Sequence, residues 1–405
     1  MPTPNRLRIL APDAATHADQ VATLIAETFH EQPSPETLAR IRGFGDLPNW
    51  VQMPDCRIGL LDGRVVTNVT VFRYLTRIGS ARLATAGIGA VATDGNYRKR
   101  GLMRDTFGAT VDAMQEAGYD ISVLFGIPDF YCQFGYVRGW SDDSVTVKAK
   151  DLKPTRSAPA TEDFSGTALA EDVLACMNRW QETLDGTAVR PTHGGRNKHQ
   201  GDHILARCWR DDGTAVAGTL ITKLEEGRLR IEDACGDPED VIALVERLCT
   251  EHDQAEVTFS LLPYRSALSR RLRLGECRVS RGYRRNAGAL VRTVNLSSCL
   301  GKLAADFAAR LAASRHHGWH GSLLVGDGRQ EANLEIQAGS VQITPATDTA
   351  HRLQAGDYAA TLIFGAEDPA DTLARPEVST QGDAALLATI LFPELDPQLP
   401  SLDRY

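Results

Sequence analysis

The sequence predicts a mixed α/β protein: two successive α/β units with mixed sheets, then a smaller α+β unit. Three observations predict it. Residues 1–150 run strand, helix, three strands, helix, strand. A Pro-, Ser- and charge-rich stretch without periodicity, 151–165, then separates them from a segment that repeats that order. From 291 onward a long helix, three short strands and two apolar helices replace it. The expected domains are therefore 1–150, a linker 151–165, 166–290 and 291–405.

Each element has a local reason. Residues 6–10 read as a strand, and 17–29 carry helical spacing through Val21, Leu24, Ile25 and Phe29, with Pro33 and Pro35 breaking that helix. CRIGLL and RVVTNVTVFRYL flank Asp62-Gly63, a two-residue hairpin signal. Gly79 turns the chain into ARLATAGIGAVAT. Leu102, Met103, Phe107, Val111 and Met114 form one helical stripe, and ISVLF supplies the next strand. In the second unit, helices are expected near 168–184, 238–252 and 264–272. Strands are expected near 204–222 (interrupted at Asp212-Gly213), 227–233, 256–260 and 277–294. The glycine- and histidine-rich stretch around 193–203 reads as a solvated loop. In the last unit, VRTVNLSSCLGKLAADFAARL reads as one long helix.

Composition excludes several classes. A net charge of −8 argues against nucleic-acid binding, which needs a basic surface. No apolar run reaches membrane-spanning length, and the first residues carry no apolar signal region. Eight scattered cysteines, none in C-x-x-C and none with a His cluster, point to reduced cytoplasmic thiols and to no metal site.

The chemistry concentrates at 87–138. A strand, GIGAVAT, feeds a loop with three cations, Arg98, Lys99 and Arg100, then Gly101 and a helix. The first N–H groups of a helix lack internal partners and its dipole favours anions there, so this is an anion site. The corresponding piece of the second unit, CGDPEDVIALV, is acidic, so one such site per chain is expected.

Arg98-x-x-Gly101 resembles the acetyl-CoA pyrophosphate loop of GNAT N-acetyltransferases, although Met103 stands where a small residue is usual. FYCQFGY, at 130–136, resembles the Y-x-x-FGY motif of Eis-type acetyltransferases. Those join a GNAT domain, a degenerate GNAT-like domain and a sterol-carrier-protein-like domain. The resemblance is specific around 87–138 and architectural elsewhere. It implies acetyl-CoA as cosubstrate, held by Val91, Ala92, Thr93, Arg98, Lys99, Arg100, Gly101, Leu102 and Met103. The N–H of Val91 would polarise the thioester at a bulge that Gly87 and Gly89 would favour. Tyr131 would be the general acid and Tyr136 structural. The base would be the α-carboxylate of Tyr405, which a Pro-rich tail would carry into the first domain. Phe29 and Glu31 would contact the amine. Arg404 stands where aminoglycoside-modifying relatives carry an acid, which disfavours polycationic substrates. The expected acceptor is a small amine or a peptide lysine, and the expected assembly a homo-oligomer. The competing readings are a non-catalytic scaffold or lipid-binding module on a vestigial fold, and a tandem enzyme acylating other acceptors.

Overall fold

The computed structural model describes residues 6–43, 51–156, 160–163, 171–189, 203–209 and 220–405, which form three sheets. The first begins with β1 (Arg8–Leu10), α1 (Ala14–Phe29) and α2 (Pro35–Arg42). Asp13 caps α1 by accepting from the Thr16 N–H at 2.8 Å. Pro35 does more than break α1: behind the cap residue Ser34 it occupies the first turn of a second helix, where a missing N–H costs nothing.

Next come β2 (Arg57–Leu61), β3 (Arg64–Ile78), β4 (Ala81–Thr93), α3 (Leu102–Glu116), β5 (Ile121–Gly126) and β6 (Val137–Arg138). Asp62 and Gly63 turn the β2–β3 hairpin with φ of 54° and 76°, the two left-handed residues such a turn requires. The β4–α3–β5 crossover makes a parallel pair.

The sheets depart from the expected boundaries. β7 (Asp142–Lys148) leaves the first unit and pairs with two strands of the second sheet. β8 (Ala160–Asp163), inside the expected linker, edges that sheet. It continues through α4 (Glu171–Gln181), β9 (Ala188–Val189, which pairs back onto β3), β10 (His203–Trp209), β11 (Leu220–Glu225), β12 (Arg228–Ala234), α5 (Pro238–Glu251), β13 (Glu256–Ser260), α6 (Ala267–Leu272) and β14 (Arg278–Gly282). β15 (Gly288–Thr293) then returns to the first sheet between β5 and β6. The two units thus exchange strands. β7 buries Asp143 and the run Val145–Val147, and β15 is buried from Ala289 to Thr293, and neither pattern by itself names the sheet the strand joins. The loop expected at 193–202 and the turn at Asp212-Gly213 lie outside the described residues; His203 opens β10.

The third unit comprises α7 (Leu296–Ala312), β16 (Gly321–Gly326), β17 (Glu331–Gln337), β18 (Ser340–Pro345), β19 (His351–Gln354), α8 (Ala359–Phe364), α9 (Pro369–Leu373), β20 (Ser379–Gln381) and α10 (Ala384–Leu391). The long helix expected from Val291 starts later, because Val291 lies in β15 and Asn295 caps α7. Leu300, Leu303 and Phe307 of α7 join Leu83 and Ile121 of the first sheet to Leu334 and Leu353 of the third in one core. Fully buried Asp120 fixes that docking: its carboxylate accepts from the Ala84 N–H, the Ser298 hydroxyl and the Lys302 ammonium, each at 2.5 Å. No helix of the described residues is long and apolar enough to cross a membrane.

After α10 the tail crosses the second unit and enters the first. Arg281 pairs with Glu394 and Asp396 at 2.8 and 2.7 Å. The Ser401 N–H donates to Asp233 at 3.0 Å, and Gln181 donates to buried Asp403 at 3.0 Å. The Tyr405 ring then lies on β4. A Cβ on Gly87 would stand 2.4 Å from Tyr405 Cζ, and one on Gly89 would stand 3.2 Å from its Cδ2. Gly87→Ala should therefore unseat the ring without unfolding the sheet. We expect carboxypeptidase to release Arg404 and Tyr405 at least about tenfold faster than from the wild type, with Tm lowered by only about 2–4 °C. An unchanged release rate would show that the ring does not depend on the glycine.

Candidate active site

The site opens where two strands part. β4 and β5 pair from Thr85–Ile121 to Ile88–Leu124 and no further. Just beyond, the β3–β4 register slips between Asn68 and Thr70, so that Ala90 and Val91 oppose Val69 alone. Ala90 takes φ of 48°, and the buried Asn68 side chain donates to its carbonyl at 2.8 Å. This is a β-bulge, and it bends β4 away from β5. The bulge expected at GIGAVAT is present, but its left-handed residue is Ala90. Gly87 and Gly89 instead clear the space filled by Tyr405. A cleft of about 760 Å³ lies in the opening.

One end of the cleft is the N-terminus of α3. Asp94 caps the turn Gly95–Tyr97, accepting from the Asn96 N–H at 2.9 Å, and Arg64 holds Asp94 at 2.6 Å. Lys99 (φ 62°) and Gly101 (φ 79°) swing the chain into the helix. No side chain caps Gly101, so the first-turn N–H groups stay open to an anion. Gly101 is needed for its φ, since nothing lies within 4 Å of the place a Cβ would take. Exposed Arg98, Lys99 and Arg100 surround that end; Arg98 Nε lies 3.4 Å from the Thr93 carbonyl, and Arg100 sits 5.4 Å above the Tyr97 ring. In the second unit the matching helix start is occupied: Asp237 caps α5, and Arg156 pairs with Asp237 at 2.6 Å.

The other end is aromatic. Tyr131 opens a short helical turn, Tyr131–Phe134, and packs 4.9 Å from Phe130 and 5.5 Å from Phe107, ring to ring. Gly126 leaves it room; a Cβ there would stand 2.6 Å from its ring. Burial pushes the Tyr131 phenol up to about 12. Tyr136 is fully enclosed and bonded to Ser122 at 2.6 Å, a structural position. Tyr405 stacks on Phe72 at 4.9 Å and donates its hydroxyl to the Val123 carbonyl at 2.7 Å.

Val91, Thr93, Arg98, Lys99, Arg100, Gly101, Leu102, Met103, Tyr131, Phe29 and Tyr405 all line this one cleft. Two expected residues do not. Ala92 points to the opposite face of β4 and packs with Ala22, Leu24 and Ile25 of α1, as the two-residue period of a strand requires. Glu31 is exposed beyond the end of α1, where extended His30 ends the helix, and it is not a lining residue. Sequence reasoning missed Thr28, Arg104, Phe125, Ile127 and Gln133, which also line the cleft. Arg104 was legible as the next cation on α3, and it bonds Gln133 at 2.9 Å. Arg404 stands outside the lining, its guanidinium 4.6 Å over the Phe125 ring; burial lowers its pKa against the pull of Asp233 and Asp142. Among the described residues no cluster of His, Cys, Asp and Glu could hold a metal.

Residues 12–139 match the family described as acetyltransferase (GNAT) domain. No curated protein matches the chain. Several solved structures share the fold over nearly the whole chain. A GCN5-related N-acetyltransferase from Kribbella flavida is 19% identical, with TM-score 0.71 and 99% of each chain covered. A probable N-acyltransferase from Enterococcus faecalis V583 is 16% identical, with TM-score 0.76, covering 99% of this chain and 100% of its own. Eis1 from Mycobacterium abscessus is 15% identical, with TM-score 0.68 and the same coverage. The protein is thus an enzyme whose residues 12–139 match an acetyltransferase (GNAT) domain.

Proposed function

We propose that the protein transfers an acetyl group from acetyl-CoA to the primary amine of a small acceptor or a peptide lysine by direct attack. One observation carries this reading: the open, cation-rich start of α3, the bulge at Val91, Tyr131 and Tyr405 all face a single cleft. Arg98, Lys99 and Arg100 hold the phosphates of CoA together with the first-turn N–H groups, each charge-assisted contact contributing about 1.5–3 kcal/mol. The Val91 N–H polarises the thioester carbonyl, and Thr93 flanks the pantetheine.

The amine nitrogen attacks the acetyl carbon while its proton passes to the base, directly or through water. The C–S bond breaks, and the departing thiolate takes a proton from the Tyr131 phenol. With a pKa near 12, Tyr131 keeps that proton at every physiological pH. In a chain ending at Tyr405, its α-carboxylate is the proposed base. Such a group is weak in water, with a pKa of ~3.3–3.7, so the cleft must raise it. Residues 291–405 are proposed to be a sterol-carrier-like unit that packs and delivers the tail. Their apolar side chains, Leu303, Phe307 and Leu334 among them, belong to a core shared with the first sheet. A cytoplasmic homo-oligomer completes the proposal and rests on the sequence alone.

Tyr131→Phe keeps the ring and loses the donor. We expect kcat for CoA release to fall by ~10²–10⁴-fold with acetyl-CoA affinity unchanged. Burial raises the Tyr131 pKa, and the protonated form is the active one. The wild-type kcat should therefore show no falling limb on this account until the pH approaches about 12. A limb near pH 8–9, or full turnover by the variant, would place the acid elsewhere. Extending the chain beyond Tyr405 replaces the carboxylate by an amide. Turnover should then drop by about a hundredfold or more, while the same extension at the N-terminus leaves it intact; equal turnover would remove Tyr405 as the base.

A further inference from the structure

Resting on the acetyltransferase reading for where the thioester lies, we infer that Asn68 is a positioning residue: its amide aims the Val91 N–H at the carbonyl of acetyl-CoA. The bulge by itself does not aim it. Ala90 takes φ of 48°, a left-handed conformation that a residue with a Cβ resists. No glycine stands at this position, so something must hold the peptide. Asn68 is 1% exposed and donates its side-chain N–H to the Ala90 carbonyl at 2.8 Å. The same amide donates to the Thr70 hydroxyl at 3.0 Å. An amide nitrogen carries two N–H groups, and these two acceptors use both. Thr70 thereby fixes the edge of the amide that meets Ala90.

The geometry of one peptide unit carries the inference. The Ala90 carbonyl and the Val91 N–H belong to the same planar trans group, so they point in opposite directions. Asn68 draws the carbonyl toward β3. The N–H then faces away from β3, on the side where β5 pairs with β4 as far as Ile88 and where Val91 lines the cleft. Without Asn68, the strained peptide is free to rotate and turn its carbonyl toward the thioester. A carbonyl there would repel the oxygen that gains charge during attack, where an N–H stabilises it. Asn68 and Thr70 are not lining residues of the cleft, so they act through Val91.

The test reads the carbonyl stretch of bound acetyl-CoA, isotope-labelled at that carbon, by infrared difference spectroscopy without an acceptor. In the wild type the band should lie below its position in solution, the mark of a carbonyl that accepts a strong hydrogen bond. Asn68→Leu keeps the size of the side chain and removes both donors. It should return the band toward its solution position and lower kcat for CoA release by about ten- to a hundredfold, with acetyl-CoA affinity within about twofold. Adding Ala90→Gly to Asn68→Leu should restore kcat by about fivefold or more, because glycine takes the left-handed φ unaided. A residue that only filled the core would lower Tm without moving the band, and the glycine would rescue nothing. Thr70→Val, at a half-buried position, decides the matter if Asn68→Leu does not fold: it should move the band the same way by a smaller amount. A wild-type band at its solution position would overturn the inference. So would an unmoved band with kcat within about twofold of wild type in these variants. An inactive wild type that still shifts the band would count against the acetyltransferase reading alone.

Discussion

The candidate site depends on the seat of one aromatic ring. Tyr405 lies over Gly87 and Gly89 of β4, stacks on Phe72 of β3 and bonds the Val123 carbonyl of β5. Gly87 and Val123 are register partners, one step before β4 and β5 separate. The ring therefore sits at the root of the cleft. Burying it fully is worth about 1.5–3 kcal/mol. Ordering even three tail residues costs about 3–6 kcal/mol of backbone entropy. The ring alone cannot hold the tail, which is why the other anchors matter. Glu394 and Asp396 pair with Arg281, and Asp233 and Gln181 hold Ser401 and Asp403.

Those anchors belong to the second unit, which gives that unit a physical role without a cofactor. Its α5 start is capped by its own Asp237, where the equivalent α3 start is uncapped and ringed by cations. Strand exchange through β7 and β15 locks the two sheets together, and Asp120 ties the first sheet to α7. All three units thus converge on the tail or the sheet that receives it. Arg404, the residue beside the ring, places its charge over Phe125 and near Asp233 and Asp142 instead of in the cleft.

Much of the first unit was legible because local rules decide it. Asp62-Gly63 had to turn, the α3 stripe had to be helical, and Arg98 to Gly101 had to form a basic helix start. Tyr131 and Tyr405 reached the reading only through the family resemblance. What failed was non-local or a matter of phase. Gly87 and Gly89 were assigned to the bulge because their real partner, Tyr405, makes its β5 bond across 282 positions. The bulge residue Ala90 carries no left-handed signal. Ala92 fell on the wrong face by one residue of strand period. Glu31 came from the resemblance, and it lies outside the cleft lining, past the extended His30 that ends α1. The β7–β15 exchange was hidden, since an apolar pattern reveals a strand and not its sheet.

The most direct measurement is kcat of Tyr405→Ala, which keeps a terminal carboxylate and removes the ring that positions it. It should be read on the best acceptor of the wild type, with acetyl-CoA affinity measured alongside. A tail seated as described predicts that kcat falls by about a hundredfold while acetyl-CoA affinity stays within about twofold, because the α3 end of the cleft is untouched. Wild-type kcat from Tyr405→Ala would contradict the account.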